Sequence, residues 1–315
     1  MRKIFFLATI ILLALTTESH AFWMWTPETN RWVNPKYSVK DTPAKQLAYA
    51  QEFHQTKDYD KAIDEFQKLV KYYPRSKEAP EAEFFTGLCM EEQGKLFEAY
   101  KGYQKVIDRY PFSERSAEVV ERQYKIANKL MDGAGKGLWG SILGASYDVV
   151  EVFRTVIKNA PYGPYAAVSQ YKIGLYLQGQ QLYQEARDEF EKVVNDYPDN
   201  EWAKAAQYQI ALVDASRSTN AQYDQKVTQT AVEEFKEFVK SNPDAELSAN
   251  AQKQISGLRE KDAENNFVVA QFYEKQKNHK AARIYYETVA KDYRDTSWSK
   301  KASRKSEELK KKALP

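Results

Sequence analysis

The chain has 315 residues, a formal net charge of +3 and a single cysteine, with 29% charged and 14% aromatic residues. The near-balanced charge argues against nucleic acid as the main partner. One cysteine excludes an intramolecular disulfide framework, and the length allows two ordinary domains or one elongated array. Glycine and proline are scarce, at 12 and 11, while tyrosine reaches 22. That profile suits an all-helical chain with aromatic packing, punctuated by turns.

The N-terminus reads as a signal peptide, residues 1–21. Arg2 and Lys3 form a positive start, residues 4–15 are apolar, and Ser19-His20-Ala21 puts small residues where a signal peptidase cleaves. An apolar run of twelve falls short of the ~20 residues that span a bilayer. Cleavage before Phe22 is therefore expected, with an uncleaved anchor as the alternative. The mature chain would hold about 294 residues and a net charge of +2. Its cysteine, Cys89, lies between Leu88 and Met90, far from the leader, and reads as a small buried hydrophobe.

Residues 22–41 form an aromatic arm. Trp23 and Trp25 are separated from Trp32 by a turn-like TPETN. The arm is either a small hairpin with tryptophans on facing strands or an extended segment. Its rings need cover from the first repeat, a partner or a membrane surface.

From residue 42 the sequence is periodic. An alanine is followed by an aromatic four residues on and a proline eight after that: Ala62–Phe66–Pro74, Ala99–Tyr103–Pro111, Ala186–Phe190–Pro198 and Ala231–Phe235–Pro243. Val149–Phe153–Pro161 and Ala282–Tyr286–Arg294 keep the spacing with one exchange each. Residues four apart share a helix face, so the small residue admits a neighbouring helix and the aromatic fills the space beside it. Proline then ends the helix. Twelve residues before the alanine stands another small residue, as in Ala50, Gly87, Gly174 and Ala270. This is the tetratricopeptide pattern of ~34-residue helix–turn–helix units. Such units stack into a superhelical solenoid with a concave groove. Six units are expected, near 42–75, 77–112, 114–161, 163–198, 200–243 and 246–294, closed by a basic helix from Thr296. A glycine-rich insertion, residues 131–146, interrupts the third unit, and a polar one near 216–228 interrupts the fifth.

Nothing in the sequence forms a catalytic constellation, a cofactor site or a metal site. The insertion lacks the G-x-x-x-x-G-K-[ST] spacing of a phosphate loop, and its Leu138, Trp139, Ile142 and Leu143 make a partner or membrane contact the alternative to a simple loop. His54 and His279 stand beside inter-helix turns, so both are expected to be solvated. The acidic residues, interleaved with lysines, read as solvated helix faces.

From Ala160 onward the sequence resembles the BamD family, tetratricopeptide lipoproteins of the outer-membrane β-barrel assembly machinery. The residues that carry this are Ala160-Pro161-Tyr162-Gly163-Pro164-Tyr165 at a repeat junction and Tyr223-Asp224-Gln225 with Thr228 and Ala231. Leu258-Arg259, Ala263-Glu264, Val269-Ala270 and Phe272-Tyr273 complete the set in one long helix. The resemblance divides the repeats into N-terminal units, 42–161, and BamD-like C-terminal units with the basic helix, 162–315. It implies a non-enzymatic periplasmic scaffold associated with the inner face of the outer membrane. Its partners would be a barrel-type insertase and unfolded outer-membrane proteins, with membrane-surface contact through Trp23, Trp25 and Trp32. The family's lipidated cysteine would stand at position 22, where this chain has Phe22. Tyr162, Tyr165, Tyr171 and Lys172 are candidate protein-binding residues, with packing between repeats as their other reading. The alternative function is a periplasmic repeat adaptor for envelope maintenance or division, of the type that accompanies Tol–Pal systems.

Overall fold

The computed structural model describes residues 23–26, 31–33, 38–134, 149–220, 225–243 and 246–312. The leader, residues 135–148 of the glycine-rich insertion, and Tyr223-Asp224 lie outside these. The chain forms two compact units, Met1–Ser116 and Ala117–Pro315.

The first unit opens with a two-stranded antiparallel ribbon, β1 (Met24–Thr26) and β2 (Arg31–Val33), in which Trp25 faces Trp32. The arm is thus a hairpin. Four helices follow as two hairpins: α1 (Pro43–Gln55) with α2 (Tyr59–Tyr72), and α3 (Ala79–Glu92) with α4 (Leu96–Arg109). Thr42 caps α1, its Oγ1 accepting from the Lys45 amide at 3.3 Å, and Pro43 supplies a first-turn residue with no amide to satisfy.

Helix α5 (Ser116–Ala134) begins at the boundary and continues into the second unit. There follow α6 (Val149–Asn159), α7 (Ala166–Gly179), α8 (Tyr183–Asp196), α9 (Glu201–Asn220), α10 (Gln225–Ser241), α11 (Glu246–Lys275), α12 (His279–Asp292) and α13 (Trp298–Lys312). Among the described residues these make the expected six helical hairpins and a closing basic helix. The fold is an all-α tetratricopeptide solenoid, preceded by one short β-ribbon.

Four of the turns inside hairpins share one device. Lys57, Gly94, Gln181 and Lys277 have φ of 61°, 76°, 62° and 60°. Each follows a first helix, and the next residue's amide reaches back to the carbonyl five before it. Examples are Asp58 to Phe53 at 2.9 Å and Leu182 to Leu177 at 3.0 Å. This closure satisfies helix-end carbonyls and imposes the left-handed residue. Three of the four positions are not glycine, so composition does not reveal them.

The small-residue logic is confirmed by distance. A Cβ on Gly87 would lie 2.8 Å from the Tyr103 ring, and one on Gly174 would lie 2.5 Å from that of Phe190. Ala62, Phe66, Ala99, Tyr103, Ala186, Phe190, Ala282 and Tyr286 are all fully buried. Cys89 is buried too, and desolvation raises its thiol to about 12, so it stays a protonated hydrophobe rather than a nucleophile.

Two expectations need correction. His54 is not solvated: its ring packs between Tyr59 and Phe85, and Nε2 lies 3.4 Å from Glu92 Oε2. Its counterpart His279 is exposed. Nor do all acidic residues line solvated faces, because Glu83, Glu189, Asp214 and Asp262 are buried. A carboxylate can sit there only with partners, and each has them.

Candidate protein-binding surface

Four residues before the small residue of a first helix stands a polar side chain: Gln46, Glu83, Gln123, Gln170 and Asn266. All five are buried. Gln46 Nε2 donates to the Glu65 carbonyl at 3.0 Å and to its carboxylate at 2.8 Å on α2. Gln170 makes the same two bonds to Glu189 on α8. Asn159 donates to Gln123 at 2.8 Å, and Arg109 to Glu83 at 3.0 Å. Burial pushes the Glu83 carboxyl up, opposed by Arg109 and Lys105. In the first four hairpins this ladder of bonds fixes the register of first helix on second, since each buried polar group must find its partner, whereas Asn266 donates to the Asp262 carbonyl of its own helix at 2.9 Å. The identical spacing was visible in the sequence, but its polar character disguised it as surface.

A second contact recurs within each unit. Three residues before the small residue is an aromatic: Phe84, Tyr124, Tyr171 and Phe267. Each meets a residue at, or just before, the start of a later helix. The Arg115 guanidinium lies 4.7 Å from the Phe84 ring centre, Tyr165 stacks on Tyr124 at 4.8 Å, and Trp202 and Trp298 meet Tyr171 and Phe267 at 5.0 Å each. The partner stands 31 residues downstream except at Tyr165, where the insertion intervenes.

The four candidate binding residues therefore divide. Tyr171 is 8% exposed, wedged between Phe190 and Trp202, and its hydroxyl accepts from Gln209 at 3.2 Å. Burial raises its phenol. Tyr165 is half-buried in the stack with Tyr124. Lys172, beside Tyr171 on α7, is half-exposed. Tyr162, in the junction before α7, is 96% exposed. Tyr165 and Tyr171 pack in the joints between hairpins, and Tyr162 and Lys172 are the more open pair.

Further along the second unit, α8, α9 and α10 border an open cleft of about 440 Å³. Arg187 lies at its edge and donates to Glu234 at 2.7 Å, to Asp214 at 3.3 Å and to Glu191. Burial acts against its charge, but the Glu234 bond and the three carboxylates win and hold the guanidinium firmly protonated. Desolvation raises the Glu234 carboxyl. One guanidinium thus ties three helices together. Sequence reasoning missed Arg187 because its partners lie 27 and 47 residues away.

Among the described residues no group of three or more histidine, cysteine or acidic side chains is arranged to hold a metal. Nor is any described helix long and apolar enough to cross a membrane. What the arrangement offers chemically is a set of rigid helical faces with aromatic and cationic side chains at their edges.

Comparison with known proteins adds the family. No curated protein matches the sequence. Similar solved structures include the C-terminal part of a tetratricopeptide repeat-containing protein from Cytophaga hutchinsonii, with 14% identity, 81% of this chain and 87% of that one covered, and a TM-score of 0.38. A tetratricopeptide repeat protein from Parabacteroides merdae has 13% identity, covers 85% and 98%, and gives 0.34. MamA from Desulfovibrio magneticus has 14% identity, covers 66% and 99%, and gives 0.33. These are likenesses of fold alone. The tetratricopeptide repeat family matches residues 46–76 and 81–113, the two hairpins α1–α2 and α3–α4. The outer membrane lipoprotein family YfiO matches residues 150–312, from α6 to α13 and just over half of the sequence. The chain belongs to that family of BamD-like tetratricopeptide proteins.

Proposed function

We infer that the protein is a non-enzymatic periplasmic scaffold of the outer-membrane β-barrel assembly machinery, working at the inner face of the outer membrane. The observation that carries this reading is the outer membrane lipoprotein match running unbroken through α6–α13, on a fold whose stacked hairpins are a protein-interaction architecture. Its mechanism is holding rather than chemistry. A segment of a barrel-type insertase or an unfolded barrel protein lies along successive first helices. Aromatic rings supply contact area at low entropy cost, and cations pair with carboxylates. Tyr162 and Lys172 are the open members of that surface, and Tyr165 and Tyr171 hold the helices that present them.

Site-specific photo-crosslinking in native envelopes tests the reading. A photoreactive residue at position 162 should capture an integral β-barrel protein or its unfolded precursors, and one at the buried position 171 should capture neither. Capture from position 162 of division or peptidoglycan-associated proteins alone would replace the reading with the adaptor one.

A further inference from the structure

The ribbon β1–β2 carries Trp25 and Trp32, and Trp23 stands immediately before β1. Trp25 and Trp32 are directly opposed across the strands, with ring centres 5.8 Å apart in an edge-to-face pair. Trp23 stands two residues before Trp25, just outside β1. All three are largely open, at 57%, 45% and 63% exposure for Trp23, Trp25 and Trp32. Two isolated strands are marginal in water, and three uncovered indoles add apolar area that a soluble surface disfavours.

We propose that this group of tryptophans is a membrane-surface anchor, seated at the headgroup level of a lipid bilayer. Indole suits that depth, with an apolar body and one N–H that reaches the wet side. The family is one of outer membrane lipoproteins, so a bilayer is the neighbouring surface. Cys89, the sequence's one cysteine, is buried in α3 and cannot serve as an acylated anchor. Residues 22–41 carry Arg31, Lys36 and Lys40 against Glu28 and Asp41, so seating would rest on the indoles rather than on attraction to anionic lipid. The tether is short. Four residues separate Val33 from Ser38, a reach of roughly 15–20 Å even fully extended. A seated ribbon therefore holds the first helical hairpin close to the bilayer. The location proposed above decides only which bilayer is met, so this inference stands or falls apart from the capture of any protein partner.

The test is vesicle flotation of the exported protein, purified from the envelope with its N-terminus read by mass spectrometry. The vesicles are phosphatidylethanolamine and phosphatidylglycerol, with and without bromine-labelled chains. The protein should float with vesicles, and brominated lipid should quench its tryptophan emission. The triple variant Trp23→Ala/Trp25→Ala/Trp32→Ala should lose about tenfold or more in partitioning with its helical circular dichroism unchanged. Replacing Trp25 and Trp32 by Phe should keep part of the binding, because Phe retains the apolar ring. Three results would overturn the anchor: no flotation of the intact protein, equal flotation of the triple variant, or a tryptophan-dependent dimer that ignores vesicles.

Discussion

Gly174 and Gly87 are the positions where a single methyl group would be felt most. A Cβ at 174 would stand 2.5 Å from the Phe190 ring, which is itself fully buried and cannot retreat. Gly174→Ala should therefore destabilise by about 1–3 kcal/mol, measured by urea unfolding, as overpacking does elsewhere. Unchanged stability would mean that the helices are not pressed together there. Asp295 makes a prediction about pH. Arg259 donates to its two carboxylate oxygens at 2.7 and 2.5 Å and holds the carboxyl below its ordinary value. A group with a lower folded pKa binds fewer protons when folded, so its contribution is present above the unfolded value and is lost as pH falls through the folded one. The stability difference between wild type and Asp295→Asn should thus be flat from pH 7 to about 5 and shrink on acidification below about pH 4. Because the pair is part-exposed, the plateau should be about 1 kcal/mol or less; a difference that grows with acid would contradict the pairing. At this scale the small residues were legible in the sequence, since their spacing repeats. Glu83, Glu189, Asp214 and Asp262 were not, because a carboxylate looks like surface until its partner is located, and the partners here are distant in the chain.

Helices were more legible than residues. The alanine–aromatic–proline spacing located each second helix, and the tryptophans of the arm did prove to face each other across two strands. What the spacing could not give was the joint between hairpins. Tyr165 and Tyr171 qualify as candidate binding residues by chemistry, yet Tyr124, Trp202 and Phe190 occupy their faces. Aromatics recur in this fold both as gap-fillers and as ligand contacts, and only the position of the next helix distinguishes them. The neighbours Tyr171 and Lys172 provide the contrast. Tyr171→Ala should cost about 3 kcal/mol in thermal or urea unfolding, as for other buried aromatics. Lys172→Ala should stay within about 0.5 kcal/mol. If both changes were equally mild, Tyr171 would not be packing the α7–α8–α9 joint.

Over the whole molecule, stability is built from neighbours. In the second unit successive hairpins meet through joint aromatics such as Tyr171 with Trp202 and through bridges such as Arg187, while inside a hairpin the buried polar ladder ties first helix to second. In such an array a local defect spreads to adjacent hairpins and fades beyond them. Hydrogen exchange on Gly174→Ala should show lost protection in α7, α8 and the adjoining α9, with α1–α4 unchanged. The family resemblance was readable from one repeat junction, one insertion and one long helix. Residues at the joints recur with the repeat, so they leave a periodic mark. The central claim is that this array holds components of the barrel assembly machinery at the outer membrane. Mild-detergent purification of the tagged protein from native envelopes, with mass spectrometry of what accompanies it, tests that most directly. An outer-membrane β-barrel with periplasmic repeat domains should be recovered in near-stoichiometric amount. Recovery of peptidoglycan-associated or division proteins with no such barrel would contradict the claim.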